Sequence, residues 1–153
     1  MKFKKTREEN LTENYLELHY RTMDAEAREV ERMLGSRSLL LGKRENESRL
    51  IAPEDVFYLE VVDRRLYVYL EKEVWQLDGS LQEVVDAYGR YGLIRTTKSM
   101  AVNIGKIKNI TSDINARIRL RLLNDEEVIM NRAYKKAFYQ KLREYCRKAG
   151  EMK

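Results

Sequence analysis

The chain has 153 residues, 43% hydrophobic and 36% charged, with 30 lysines and arginines against 25 aspartates and glutamates for a net charge of +5. That is one domain, or one domain with a short appendage, with enough apolar material for a core. The longest stretch free of Asp, Glu, Lys and Arg is seven residues (99–105), too short for a membrane-spanning helix; residues 1–9 lack the apolar centre of a secretory signal; and one cysteine, Cys146, excludes an intrachain disulfide and fits a reducing, cytoplasmic setting.

Residues 1–14 are polar and unpatterned. Residues 15–20 alternate, which places Leu16, Leu18 and Tyr20 on one face of a predicted strand. Thr22 or Asp24 then caps a helix whose apolar stripe is Met23, Ala27, Val30 and Leu34, with Gly35 at its C-terminal stop. After Gly35 the period changes to two. Residues 38–44 and 48–52 read as short strands around Glu45-Asn46-Glu47, and Pro53-Glu54-Asp55 as a turn. Residues 56–62 are β-branched and aromatic enough for a buried strand, which Asp63-Arg64-Arg65 breaks. Residues 66–70 and 74–77 continue a meander.

Ser80-Leu81-Gln82-Glu83 is a capping box, opening a short helix with Leu81, Val84, Val85 and Tyr88 inside. Residues 93–96 and 107–111 are strand-like, with a turn around Asn103-Ile104-Gly105 between them. Residues 116–123 alternate without a fault, Ile118, Leu120 and Leu122 against Arg117, Arg119 and Arg121. Asn124-Asp125-Glu126 turns the chain into Val128-Ile129-Met130. An amphipathic helix over 133–148 closes it, with Tyr134, Phe138, Leu142 and Tyr145 on one face. A strand-rich middle flanked by helices is an α+β fold, mainly β and antiparallel.

The charge is segregated. Residues 89–122 hold eight basic side chains against Asp113 alone, and residues 132–153 hold eight against two acidic ones. A basic half of this kind is the footprint expected of a phosphate-binding surface. Signs of catalysis are missing. No glycine-rich phosphate loop precedes a helix, and one His with one Cys makes a metal site of those ligands improbable. His19 lacks an orienting partner, Glu54 and Asp55 sit in a turn, and Cys146 reads as an inert helical thiol. The expectation is a protein that is not an enzyme and needs no cofactor or metal.

The most informative segment is Gly92-Leu93-Ile94-Arg95-Thr96-Thr97-Lys98-Ser99-Met100-Ala101-Val102-Asn103-Ile104-Gly105-Lys106-Ile107. It resembles the signature of the LytTR family of bacterial DNA-binding domains: an apolar residue, Arg, a short polar-basic run ending in Ser, then Val-Asn before a turn and Ile. Residues 53–60 look like that family's entering strand, Gly79-Ser80-Leu81 like the start of its internal helix, and Met130-Asn131-Arg132-Ala133-Tyr134 like its closing element. The resemblance covers about residues 38–145. Leu93, Asn131 and Asn124-Asp125 depart from its commonest Phe, Ser and Asn-Gly.

The resemblance implies a transcription regulator without a helix-turn-helix, which binds direct repeats in double-stranded DNA through loops set into major grooves. It implies Arg64 or Arg65, Lys98 and Arg132 as base-reading residues, and Thr97, Ser99, Lys106, Asn131, Lys135 and Lys136 as phosphate contacts. Arg95 and Asn103 are read as structural: Asn103 as the cap of the turn presenting Lys98, Arg95 as a strand-edge ion-pair partner or, equally, a DNA contact. Residues 1–37 are too few for a phosphoacceptor receiver domain, so a stand-alone regulator is expected, with 38–148 as its DNA-binding domain. The N-terminal strand and helix form an extension serving its own core, a homodimer or regulation, and a restraining membrane-protein partner follows from the resemblance alone. Two other readings remain. Tyr67 and Tyr69 with Arg117, Arg119 and Arg121 offer an aromatic and basic face for RNA, and the 22–34 stripe offers a protein-interaction module.

Overall fold

The computed structural model describes residues 1–34, 39–115 and 117–151. The chain divides into two compact units, Met1–Ser38 and Leu39–Lys153.

In the first unit α1 spans Ala25–Leu34. Asp24 is its cap, its Oδ1 accepting from the Ala27 amide at 2.8 Å. Ala27 is buried, while Met23 and Val30 are half-buried. Gly35 lies outside the described residues. The strand expected over 15–20 does not form, and Tyr15, Leu16 and Tyr20 are exposed. Alternation selects a face but supplies no neighbouring strand, and a lone strand leaves its amides and carbonyls to water. His19 is a surface residue, 2.9 Å from the Glu17 carboxylate.

The second unit carries two antiparallel sheets and two helices. Its strands are β1 Leu40–Arg44, β2 Glu47–Ile51, β3 Tyr58–Val62, β4 Arg65–Tyr69, β5 Val74–Leu77, β6 Leu93–Arg95, β7 Met100–Asn103, β8 Ile107–Ser112, β9 Ile118–Leu122 and β10 Glu127–Met130. The large sheet has the order β2-β1-β5-β4-β3-β7-β6, and the small one β10-β9-β8. Helix α2 spans Leu81–Tyr88 and α3 spans Lys135–Glu151, the latter after a single 3-10 turn over Arg132–Tyr134. The strand-rich α+β architecture is the one the sequence predicts, with one addition. Met100–Asn103, read as approach to a turn, is an interior strand of the large sheet.

Two cores follow from the two faces of the large sheet. On one face Leu40, Leu59, Leu66, Val68, Trp75, Leu77, Leu93 and Ala101 pack with Leu81 and Val84 of α2. On the other, Phe57, Val102 and Ile104 meet Ile118, Leu120 and Leu122 of β9, Val128 and Met130 of β10, and Phe138 of α3. Helix α2 starts where Ser80 Oγ accepts from the Glu83 amide at 3.1 Å. Ser80→Ala should therefore cost about 1 kcal/mol, read as a lower urea midpoint at unchanged slope.

The pairing register fixes which turns share an end of the molecule. Val62 faces Arg65, so the β3–β4 hairpin turns at Asp63-Arg64. Glu60 faces Met100, and the Val61 amide donates to the Ser99 carbonyl at 2.8 Å, which sets the β6–β7 turn beside that hairpin. In the small sheet Met130 and Ser112 both face Ile118. The end of β10 and the β8–β9 turn are thus together, and the Asn131 amide joins them to the β6–β7 turn by donating to the Thr96 carbonyl at 2.8 Å. The opposite end holds the β4–β5 and β9–β10 turns, linked by Asn124 Nδ2 donating to the Glu71 carbonyl at 3.2 Å.

Candidate nucleic-acid interface

Lys98 sits exposed at the tip of a turn that is held from several sides. The Thr96 and Thr97 amides donate to the Met100 carbonyl at 3.0 and 3.3 Å. Thr97 Oγ1 accepts from the Ser99 amide at 3.2 Å. Thr96 is fully buried, and its carbonyl holds Asn131. With the Ser99 carbonyl held by Val61, little of the turn can rearrange, so the ammonium is presented from a fixed base.

The Asp63-Arg64 turn has φ of 50° and 66° at its two residues. This left-handed pair is what a two-residue hairpin with the strands' own twist requires. Aspartate tolerates this region, but Arg64 is not one of the residues that adopt it cheaply, and the conformation costs such a side chain roughly 1–2 kcal/mol. Arg64 takes the tip and Arg65 the first rung of β4, both exposed. Arg64→Gly should raise stability by about 1 kcal/mol, which thermal unfolding checks.

Arg132 opens the 3-10 turn that leads into α3. Asn131 caps that turn, its Oδ1 accepting from the Ala133 amide at 3.3 Å and its carbonyl from the Tyr134 amide at 3.0 Å. The Asn131 Oδ1 is thereby committed to the backbone, while the amide group at Nδ2 keeps its two donors. Arg132, Lys135 and Lys136 are exposed around the start of α3. Cations there oppose the helix dipole, a local cost that an anion would relieve.

Five cations elsewhere in the unit are held by carboxylates. Lys43 pairs with Asp78, Arg49 with Glu73, Lys108 with Asp125, Arg119 with Asp113 and Glu127, and Arg121 with Glu127. Among the described residues no carboxylate lies within ion-pair distance of Arg64, Lys98, Arg132, Lys135 or Lys136. Thr97, Ser99, Asn131 and Arg132 line one surface depression with Asn115 and Arg117, over a floor that includes Met100, Val128 and Met130. The structure thus brings the Lys98 and Arg132 turns together, with the Arg64 hairpin beside them. Asn115 and Arg117 were not predicted here. The fault-free alternation of 116–123 assigns Arg117 to a strand face, whereas β9 begins only at Ile118.

Two predicted placements change, and one predicted ion pair does not form among the described residues. Lys106 is at the opposite end of β7 from Lys98, half-buried with its ammonium 5.2 Å from the centre of the Phe57 ring. Asn103 is structural, but it caps the turn over Ile104–Lys106 rather than the one presenting Lys98. It is 3% exposed, its Nδ2 donating to the Val56 carbonyl at 2.8 Å and its Oδ1 accepting from the Gly105 amide at 3.0 Å. Four residues of extended chain carry it roughly 13 Å from the Lys98 turn. Arg95 lies on edge strand β6 with its Nε buried and without a hydrogen-bond partner, and among the described residues no carboxylate pairs with it.

The aromatic and basic face suggested for RNA is divided between two sheets. Tyr69 stacks on Tyr58, ring centres 4.2 Å apart, and its hydroxyl donates to Glu60 Oε2 at 3.2 Å. Burial, with Glu126 next, pushes the Tyr58 hydroxyl far above the usual phenol range. These rings are committed to packing, and Arg119 and Arg121 to carboxylates.

Residues 46–143 match the family described as the LytTr DNA-binding domain. Among solved structures, the chain is similar to a LytTr DNA-binding domain from Bacillus cereus, with 28% identity, a TM-score of 0.65, and coverage of 69% of this chain and 96% of that one. It is also 30% identical over 98 residues to the sensory transduction protein LytT of Enterococcus faecalis, covering 64% of this chain and 40% of that protein. The chain thus spans about two fifths of that relative's length. Two antiparallel sheets with one internal helix, and a family match covering most of both, leave one assignment: the chain belongs to the LytTR family of DNA-binding domains.

Proposed function

We propose that this chain regulates transcription in the cytoplasm by binding promoter double-stranded DNA sequence-specifically, its cationic turns set into the major groove. Arg64 or its neighbour Arg65, with Lys98 and Arg132, reads base edges. Arginine and lysine match the O6 and N7 acceptors of guanine. Thr97, Ser99, Asn131, Lys135 and Lys136 contact phosphates and fix the register. Lys106 has a packing role over Phe57. The observation that carries the reading is the convergence of carboxylate-free cations from separate turns at one end, while the cations of the small sheet's ladder are neutralised.

Selection from a random duplex pool tests it. An enriched motif occurring as a direct repeat is expected, and competition by single-stranded RNA should be weak. A pool that yields no motif, or RNA that displaces the duplex at equal concentration, would reject the reading. Lys135→Ala should lower the slope of log affinity against log salt by about one charge. An unchanged slope removes Lys135 from the phosphate set. A homodimer is proposed, and light scattering that reports a strict monomer with and without DNA overturns that part.

A further inference from the structure

The arginines of the small sheet form a series with one odd member. Arg119 and Arg121 lie on β9 against Glu127 of β10 and Asp113, at 3.6 to 3.9 Å. Arg117, just before that strand, is exposed, and among the described residues no carboxylate pairs with it. The nearest acid in sequence, Asp113, is fully engaged. Its Oδ1 accepts from the Asn115 and Arg117 amides, both at 3.0 Å, and its Oδ2 faces Arg119 at 3.7 Å. The Asp113 amide in turn donates to the Arg117 carbonyl at 3.1 Å. Both the amide and the carbonyl of Arg117 are therefore bonded to Asp113, while among the described residues its guanidinium has no carboxylate partner.

That guanidinium borders the depression it shares with Thr97, Ser99, Asn131 and Arg132. The one carboxylate on this rim, Glu127, is held by Arg119 and Arg121, so it does not offset Arg117. A guanidinium without a carboxylate partner among the described residues, beside hydroxyl and amide donors, is the chemistry that clamps a backbone phosphate.

We propose that Arg117 is a further DNA-binding residue of this interface, a clamp on a backbone phosphate rather than a reader of bases. Its partner is the duplex itself, at a phosphate flanking the bases met by the Lys98 and Arg132 turns. The inference rests on the interface reading above and adds a contact from a fourth turn. Asp113 has a positioning role, fixing the backbone that carries the clamp.

The test compares Arg117→Gln with Lys72→Gln in the full chain, on a random-sequence duplex and on the selected one, over a series of salt concentrations. Lys72 is exposed in the β4–β5 turn at the opposite end, so both variants remove one positive charge. Arg117→Gln should lower the salt slope by about 0.9 and weaken both duplexes by the same factor. Arg117→Lys should restore the slope, and Lys72→Gln should leave it at the wild-type value. Equal slopes for Arg117→Gln and wild type, or a loss confined to the selected duplex, overturn the proposal. If Lys98→Ala and Arg132→Ala weaken binding while Arg117→Gln does not, the interface stands and only this clamp fails. If none of them alters binding, the interface reading itself fails. Asp113 bonds the main chain at 117, so the glutamine variant keeps the loop, and an unchanged unfolding midpoint verifies this.

Discussion

Replacing Phe138 with alanine should destabilise the protein by about 3–5 kcal/mol, the largest loss expected from any one side chain discussed above. Phe138 is fully buried and is the point at which α3 enters the core between the sheets. Its ring meets that of Tyr139 edge-on, centres 5.5 Å apart. Truncation removes the apolar area and leaves a cavity walled by strands whose positions are fixed by pairing, so the site cannot collapse to fill it. Against a usual total of 5–15 kcal/mol, that is a large share of the stability. Urea unfolding should show a much lower midpoint at similar slope. Helix α3 carries Lys135 and Lys136 and follows the Asn131–Arg132 turn, so duplex affinity should fall in parallel near the new midpoint. A loss under about 1 kcal/mol would mean that the helix does not depend on this anchor.

Arg132→Ala should abolish preference at particular base pairs, costing about 1–3 kcal/mol, roughly five- to 150-fold, on the selected duplex and much less on variants at those positions. The direction comes from geometry. Asn131 anchors the turn to the Thr96 carbonyl and caps it, and among the described residues no carboxylate pairs with Arg132. Lys135, one turn on, lacks the same constraint and should act through charge alone. Competition titrations against single-base variants of the selected site separate the two. An Arg132→Ala loss that is equal on specific and random duplexes would make it another phosphate contact.

The sequence made some features legible and hid others for physical reasons. Ser80-Leu81-Gln82-Glu83 announces α2 because capping is local: donor and acceptor lie three residues apart. The alternation of Ile118, Leu120 and Leu122 announces β9 because one face of the small sheet is buried and the other wet. Strand β7 gives no such signal. Both of its faces are covered, Ala101 in one core and Val102 in the other, so no polar residue alternates with them. Residues 15–20 show the converse failure, a pattern without a partner strand. Asn103 lies five residues from Lys98 in sequence, which suggests one turn, yet a strand between them carries the chain to the other end of the sheet. Arg117 was hidden by its own regularity, since spacing cannot tell which of three alternating arginines has a carboxylate within reach.

The cations most open to a DNA reading, Lys98 and Arg132, are 34 residues apart in sequence, and their turns are brought together by the hydrogen bond from Asn131 to Thr96 and by the packing beneath it. Backbone amide shifts recorded while the selected duplex is added test that convergence directly. The largest changes should fall at Arg64, Lys98, Ser99, Arg132 and Lys135, with Lys72 and Asn124 at the far end unmoved. Changes centred on the β4–β5 and β9–β10 turns, with Lys98 and Arg132 still, would contradict a single DNA-reading end.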